Sequence, residues 1–228
     1  MLVLSLDTTT RDGSVAVVRA GDVIGELVGD GAITHGARLP QDLMRALAIA
    51  GVGLDAVELL AVAAGPGSFT GLRVGIAAMQ GLAMARDLRI VPVSTLDALA
   101  VAGADGQARI AAWMDGQRGE VFAALYDPGG QTVEIAPSAL TPQRTLDAWA
   151  PALTRGPIRF VGDGAVRYAS IVQARLGSDT AIVAPPPLAP VIGRIAATSP
   201  DRAQLPHAVV PIYVRRPDAE LARDRSTA

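Results

Sequence analysis

Apolar residues follow two spacings in the first half of the chain, and the change between them predicts the order of the elements. Short runs that are almost wholly apolar are typical of buried strands, whereas apolar residues three or four apart are typical of helices. Glycine, proline and small polar residues between these runs favour turns. The predicted strands are residues 2–7, 14–19, 23–28, 59–64 and 90–93. The predicted helices are residues 40–50, 72–85 and 95–102. The first of these helices starts on Pro40 and ends before Gly51.

The order strand-strand-strand-helix-strand-helix-strand-helix is typical of the ribonuclease-H-like unit from which actin-like ATPase domains are built. After a predicted boundary at residues 103–107 the pattern starts again. Its strands are predicted at 109–114, 121–126, 133–136 or a little beyond, 158–161 and 181–184, and its helices at 142–149, 166–176 and around 191–197.

We therefore predict an α/β protein with a two-lobed actin-like fold (ASKHA, ribonuclease-H-like). The N-terminal lobe, residues 1–105, has a mixed five-stranded sheet with helices, and the C-terminal lobe, residues 106–228, is a degenerate repeat of it. We expect the polar tail after Arg216 to be frayed.

Composition narrows the chemistry that the chain can perform. The 228 residues are 50% hydrophobic and carry a net charge of −2, so no general positive field attracts nucleic acid. The sequence has no cysteine, which excludes disulfides, thiolate catalysis and iron–sulfur ligation. All 20 basic residues are arginine, which excludes a Walker-type phosphate loop and Schiff-base chemistry.

Features of targeting and metal binding are equally sparse. The first residues carry no basic segment and reach Asp7 too soon for a signal peptide. No apolar stretch approaches the roughly 20 residues that span a bilayer, so we expect a cytoplasmic protein without membrane contact. The two histidines, His35 and His207, lie far apart, and we predict no metal site.

A glycine-rich run at residues 65–75, Gly-Pro-Gly-Ser-Phe-Thr-Gly-Leu-Arg-Val-Gly, joins a predicted strand to the second predicted helix. Such a turn suits the close approach of a phosphate or of another backbone. Small residues on one side of that helix, including Gly71, Gly75 and Ala78, favour packing against a second helix. A glycine inside a helix costs about 1 kcal/mol relative to alanine, which close backbone contact can offset. We favour a protein interface over a catalytic site.

Several turns are candidates for binding an anion or nucleotide, each with a simpler alternative. The turn Asp7-Thr8-Thr9 stands where actin-like proteins hold phosphate, but an Asp–Thr turn that satisfies its own backbone explains it too. Gly67 and Ser68 precede the second helix and Arg118 lies in the turn 115–119, which is equally well explained as a solvated turn. The motif Gly162-Asp163-Gly164 is short and weakly specific.

The glycine-rich run followed by Gln80-Gly81-Leu82-Ala83 resembles the signature of the TsaB (YeaZ) family. Supporting similarities are spread along the chain in the same order. They are Asp7-Thr8-Thr9, His35 with Leu39-Pro40, Pro92 to Leu96, Asp115 with Arg118 to Phe122, Gly162 to Gly164, and Pro211 to Arg215.

The resemblance implies a function in forming N6-threonylcarbamoyladenosine at position 37 of tRNAs that read codons beginning with A. It implies a non-catalytic subunit that dimerises with the paralogous catalytic subunit TsaD, acts together with the ATPase TsaE, and meets tRNA only indirectly. A homodimer is expected when TsaD is absent. No cofactor of its own is implied, although ATP or ADP at the interface with TsaD is a candidate.

The resemblance also assigns residues. TsaD carries two metal-binding histidines in an H-x-x-x-H arrangement after the fifth strand, whereas this chain has Thr95 and Leu99 at those places. In the family, the first two helices pack against the matching pair of TsaD. The interface candidates here are Leu43, Leu47, Gly71, Gly75, Ala78 and Leu82.

One departure from the family pattern bears on anion binding. Asp115-Gly116-Gln117 replaces the more usual Asp-Ala-Arg before Arg118, which weakens the assignment of this turn. Two alternative functions remain open: an actin-like small-molecule kinase that holds ATP between the lobes, and a peptidase with a serine or aspartate nucleophile.

Overall fold

The computed structural model describes residues 1–215, and the polar tail for which we expected fraying lies outside the described residues. Alternating strands and helices form two mixed five-stranded sheets. The strands of the first sheet are β1 (Leu2–Asp7), β2 (Ser14–Arg19), β3 (Asp22–Val28), β4 (Leu59–Gly65) and β5 (Ile90–Ser94). Those of the second are β6 (Arg109–Asp115), β7 (Val121–Tyr126), β8 (Val133–Leu140), β9 (Ile158–Val161) and β10 (Ala181–Val183).

The two sheets have the same topology. The first has the order β3-β2-β1-β4-β5, and the second has the corresponding order β8-β7-β6-β9-β10. In each, the first two strands are antiparallel and the first, fourth and fifth are parallel. The predicted repeat and the ribonuclease-H-like strand order are confirmed. The boundary between residues 105 and 106 stays a prediction.

Helices lie on both faces of each sheet and are shorter in the second half. The pair α1 (His35–Ile49) and α2 (Phe69–Arg86) corresponds in order to short helices in the repeat. The remaining helices are α3 (Thr95–Gly103), α4 (Pro142–Ala148), α5 (Ala150–Leu153), α6 (Asp163–Arg167), α7 (Ala169–Leu176) and α8 (Ala189–Thr198).

Three apolar cores separate the layers. One lies between α1, α2 and the first sheet, a second between the two sheets around α3 and α8, and a third between the second sheet and α4, α5 and α7. Helix α8 packs on β1 and β2 although it follows the second sheet in the chain. The N–H of Ala189 there donates to Ser14 Oγ at 3.0 Å, so the end of the chain returns to its beginning.

Several predicted helix limits were wrong for reasons of tertiary structure. Helix α1 begins at His35, so Pro40 lies inside it and is not its first residue. His35 Nε2 lies 2.9 Å from the Thr10 carbonyl, and Arg38 bonds the Asp12 carbonyl, so contacts with the β1–β2 turn hold the extra helical turn. Helix α2 begins at Phe69 because Ser68 caps it, its Oγ accepting the N–H of Gly71 at 3.3 Å.

The second half contains three further differences. Strand β8 extends four residues beyond 136, the short helix α5 was not predicted, and the helix predicted at 166–176 is two helices. The first of these, α6, starts at Asp163 directly after Gly162, because an acidic residue suits a helix N-terminus. Tyr168 has φ −109° and ψ 24°, outside the helical region, and separates α6 from α7.

Candidate functional site

The turn after β1 is closed on itself. Asp7 is buried, and its Oδ1 accepts the backbone N–H of Thr9 at 2.8 Å and the Thr9 hydroxyl at 2.6 Å. Burial raises the pKa of Asp7, while the hydrogen bonds from Thr9 and the nearby His35 oppose that rise. The Asp–Thr turn therefore satisfies its own polar groups, as the simpler alternative predicts.

The glycine-rich run packs tightly against the same turn. A Cβ added to Gly67 would lie 2.5 Å from Thr9 Cβ, one added to Gly71 would lie 2.1 Å from the Thr8 carbonyl oxygen, and one added to Gly75 would lie 2.1 Å from Thr8 Oγ1. The Thr8 hydroxyl donates to the Gly71 carbonyl at 2.8 Å. These glycines are thus required by contact with the chain's own β1–β2 turn.

The corresponding hairpin of the second sheet is held by carboxylates. The backbone N–H of Asp115 and that of Gly164 donate to Asp163 Oδ1 at 3.0 and 2.8 Å. Asp115 in turn pairs with Arg167 at 2.7 Å. Burial raises the pKa of Asp163, the two N–H groups oppose the rise, and the charge of Asp115 adds to it.

A cleft of about 1050 Å³ lies where these three loops meet, and we call it the central cleft. Of the six residues predicted to bind an anion or nucleotide, Thr9, Gly67, Ser68 and Arg118 line it, whereas Asp7 and Thr8 do not. Its walls also contain Asp163, Phe69, Phe122 and Tyr213. The structure brings the candidate loops together, and the nucleotide assignment itself stays a prediction.

The chain after α8 closes one side of this cleft. The N–H of Ile212 donates to the Ala64 carbonyl at 2.7 Å, which places Ile212 beside β4, and residues 212–215 line the cleft. Arg215 then reaches the second hairpin, where it bonds the Gly116 carbonyl at 2.9 Å and pairs with Glu120. Both halves of the fold are joined by this segment.

Helices α1 and α2 contact each other. The residues that they expose to solvent are not the ones that we predicted for the interface. Of the six predicted interface residues, Leu43, Leu47, Gly71 and Gly75 are buried within the chain, and Ala78 and Leu82 are partly buried in the same core. The expectation that the glycine flank of α2 is open to another backbone was wrong, because Thr8 occupies that flank. Whether the six residues affect partner binding stays a prediction.

One part of the exposed surface of α1 and α2, which we call the outer face, was missed by the sequence reasoning. Gly81 lies on it, and a Cβ added there would meet no other described atom within 4 Å apart from its own turns of helix. Met84 is 75% exposed. A further glycine in the interior of α2, Gly81, was the available signal, although the sequence alone does not tell which way it faces. The outer face comprises Ala37, Gln41, Met44, Arg45 and Ala48 of α1 and Thr70, Ala77, Gly81, Met84 and Ala85 of α2.

The positions to which the resemblance assigns the metal-binding histidines of TsaD belong to the interior here. Thr95 and Leu99 are buried on α3, and Leu99 is part of the core between the sheets. Within residues 1–215, no group of three or more potential metal-ligating side chains is found.

Two sheets of one topology around a cleft lined by hairpin loops define a two-lobed actin-like protein, as predicted. A family model described as "TsaD: tRNA N6-adenosine threonylcarbamoyltransferase" matches residues 30–157, more than half of the chain. The chain is 40% identical over 126 residues to the tRNA threonylcarbamoyladenosine biosynthesis protein TsaB of Haemophilus influenzae, an alignment that covers 54% of this chain and 52% of that protein.

Two further relatives match over nearly their whole length. The TsaB protein of Bacillus subtilis is 27% identical over 224 residues, which is 96% of each chain. The solved structure of YeaZ from Pseudomonas aeruginosa has a TM-score of 0.76 and 28% identity, covering 93% of this chain and 99% of that one. The chain belongs to the TsaB (YeaZ) family, which confirms the resemblance first carried by residues 65–75.

No helix among residues 1–215 has the length and hydrophobicity needed to cross a membrane.

Proposed function

We propose that this chain is a non-catalytic subunit of the complex that forms N6-threonylcarbamoyladenosine at position 37 of tRNA in the cytoplasm. Its function is to bind and support the catalytic subunit TsaD, in cooperation with TsaE, and to form a homodimer when TsaD is absent. The names of its relatives, which refer to this biosynthesis, support the proposal.

The outer face of α1 and α2 is the surface that we assign to TsaD. An exposed glycine in a helix interior lowers stability by about 1 kcal/mol relative to alanine unless something offsets the loss. Gly75 has such an offset in its contact with Thr8, but Gly81 has none within the described chain. Close approach of a second helix at Gly81 would supply it, and this observation carries the proposal.

The neighbours of Gly81 fit the same interpretation. Ala77 and Ala85 leave the helix surface narrow, and Met44 and Met84 add flexible apolar side chains that adapt to a partner. Met44 is 56% exposed. An apolar surface of this kind on two adjoining helices suits packing against another helix pair.

A catalytic function of the chain itself is disfavoured by where its residues lie. The α3 positions that correspond to the metal-binding histidines of TsaD carry Thr95 and Leu99, and a leucine offers no ligand atom. The β1–β2 turn fills the space beside the glycine-rich run with Thr8 and Thr9. We propose that ATP or ADP, where it takes part, binds at the interface with TsaD.

Co-purification with TsaD tests the assignment. Gly81→Leu adds a side chain where no atom of the described chain stands in the way, so the variant should fold normally and lose TsaD binding. Met84→Asp should act in the same way. Val166→Asp is the matched control, because Val166 is also exposed but lies on α6, away from the outer face.

Normal TsaD binding by both outer-face variants would contradict the proposed surface. Complementation tests the function itself: the gene replaces its counterpart in cells, and mass spectrometry measures the modified nucleoside. Absence of the nucleoside in cells that express the wild-type chain at normal level, together with a matched TsaD, would contradict the proposed function.

Each of the two alternative functions predicts an activity of the isolated chain, whereas the proposed non-catalytic function predicts none. A small-molecule kinase should bind ATP in the central cleft and turn it over without TsaD. A peptidase should cleave a defined substrate and lose that activity when a serine or aspartate is replaced by alanine.

A further inference from the structure

Three side chains form an exposed stack at the start of α2. The guanidinium carbon of Arg73 lies 3.9 Å from the centre of the Phe69 ring, and the rings of Phe69 and Tyr213 stack with centroids 5.9 Å apart. Arg73 Nε donates to the Tyr213 hydroxyl at 3.3 Å. Phe69 is 50% exposed and Tyr213 is 41% exposed, so the stack stands on the surface.

The stack orients Arg73 without using most of its hydrogen-bonding capacity. Among residues 1–215, no carboxylate lies within ion-pair distance of Arg73, and its Nε is the only guanidinium nitrogen in a hydrogen bond there. Within residues 1–215 the two terminal nitrogens have no partner, and they form a planar fork that matches the geometry of a carboxylate. Stacking on Phe69 also limits the entropy that binding would remove.

Beside Arg73 lies an apolar groove between α2 and residues 209–213, which we call the Arg73 groove. It has a volume of about 540 Å³, and of the described residues Arg73 is the one charged residue that lines it. Gln80 Nε2 donates to the carbonyls of Pro206 and Val209 at 2.8 and 3.0 Å, so this stretch of chain is fixed against the helix. The apolar lining is Ile76, Ala77, Val209, Val210 and Pro211.

We propose that the Arg73 groove binds an extended segment of a partner protein in which an acidic residue adjoins an apolar one. The carboxylate would pair with the free fork of Arg73, and the neighbouring apolar side chain would occupy the groove beside Val210, which is 66% exposed. Aromatic residues and arginine in this arrangement are typical of the residues that dominate protein interfaces.

Charge and packing favour a protein segment over RNA. The chain has a net charge of −2, which gives no general attraction for phosphates. The aromatic rings that would stack on a nucleobase are already engaged with each other and with Arg73. A sugar–phosphate backbone also has no apolar side chain that could occupy the groove.

Selection from a random-peptide phage library on the isolated wild-type chain tests the proposal. Enriched peptides are synthesised with a fluorescent label, and their affinity is measured by fluorescence anisotropy. We expect an aspartate or glutamate next to leucine, isoleucine or phenylalanine in the enriched sequences. Arg73→Met should weaken their binding about tenfold, the loss expected for a charge-assisted hydrogen bond. Arg73→Lys should give an intermediate affinity.

Arg86→Met is the matched control, since Arg86 is exposed near the other end of α2 and should leave peptide binding unchanged. Failure of any peptide to enrich, or equal binding to the wild type and Arg73→Met, would overturn the proposal. So would Arg73-dependent binding of an oligoadenylate probe in place of peptides. The measurements are made without TsaD and at concentrations where the wild-type chain is monomeric, because Ala77 belongs to both the Arg73 groove and the outer face. Failure of peptide binding can then be distinguished from failure of the function proposed above.

Discussion

Gly75 and Gly81 lie six residues apart in α2, and substitutions at these two positions test internal packing and partner binding separately. Replacing each by alanine adds the same methyl group to the same helix. At Gly75 the new Cβ would lie 2.1 Å from Thr8 Oγ1, whereas at Gly81 it would meet nothing within 4 Å in residues 1–215 beyond its own turns of helix. The two substitutions should therefore change the stability of the isolated chain in opposite directions.

The magnitudes follow from two opposing effects. Alanine in place of glycine inside a helix gains about 1 kcal/mol at either position. At Gly75 the overlap with Thr8 costs about 1–3 kcal/mol. Displacing Thr8 would also cost about 1 kcal/mol through its hydrogen bond to Gly71. We expect Gly75→Ala to lower the free energy of unfolding by about 1–3 kcal/mol and Gly81→Ala to raise it by up to about 1 kcal/mol.

Urea unfolding followed by circular dichroism measures both values at protein concentrations where the wild-type chain is monomeric. In a chain of this length the gain at Gly81 corresponds to a rise in Tm of about 2–4 °C. Thr8→Ala, introduced together with Gly75→Ala, should recover part of the loss because it removes the clashing hydroxyl. Equal stability of the two alanine variants would refute the assignment of Gly75 to the packed side of α2 and of Gly81 to its exposed side.

Two further predictions concern buried charges. Burial raises the pKa of Asp163 above its ordinary 3.8, so its ionisation destabilises the fold as pH rises through the interval between the two values. Asp163→Asn can keep both backbone hydrogen bonds. Its stability relative to wild type should therefore increase from about pH 4 to about pH 7 in urea titrations, and a constant or falling difference would contradict this cause. Arg38→Met leaves Asp42 buried without its partner and should lower the free energy of unfolding by about 3–5 kcal/mol. The control Arg45→Met, on the exposed side of α1, should change the free energy of unfolding little. A loss below about 1 kcal/mol for Arg38→Met would indicate that Asp42 is not buried as described.

Local patterns were sufficient for the strands and for the repeat. Strands β1, β2, β7 and β9 have the bounds that were predicted, because each is a short apolar run flanked by turn residues. The corresponding topology of the two sheets then followed from the order of the elements. Alternation of strand and helix is a property of consecutive residues and is visible in one sequence.

Features that depend on distant residues could not be predicted in the same way. The start of α1 depends on Thr10 and Asp12, which precede it by more than twenty residues. The stack at the start of α2 joins Arg73 to a tyrosine 140 residues later. Hydrophobic periodicity contains no information on such contacts, so it places the start of α1 wrongly at Pro40 and gives no indication of the stack at Arg73.

The glycines of α2 illustrate the same limit in the candidate site. Glycines at 71, 75 and 81 all indicate that something approaches the helix closely, but spacing alone does not say on which side. The β1–β2 turn lies against the first two and leaves the third exposed. A glycine-rich turn that resembles a phosphate loop thus serves to seat Thr8 and Thr9 within the fold. The exposed glycine is consequently the stronger indication of a partner, because no contact within the described chain accounts for it.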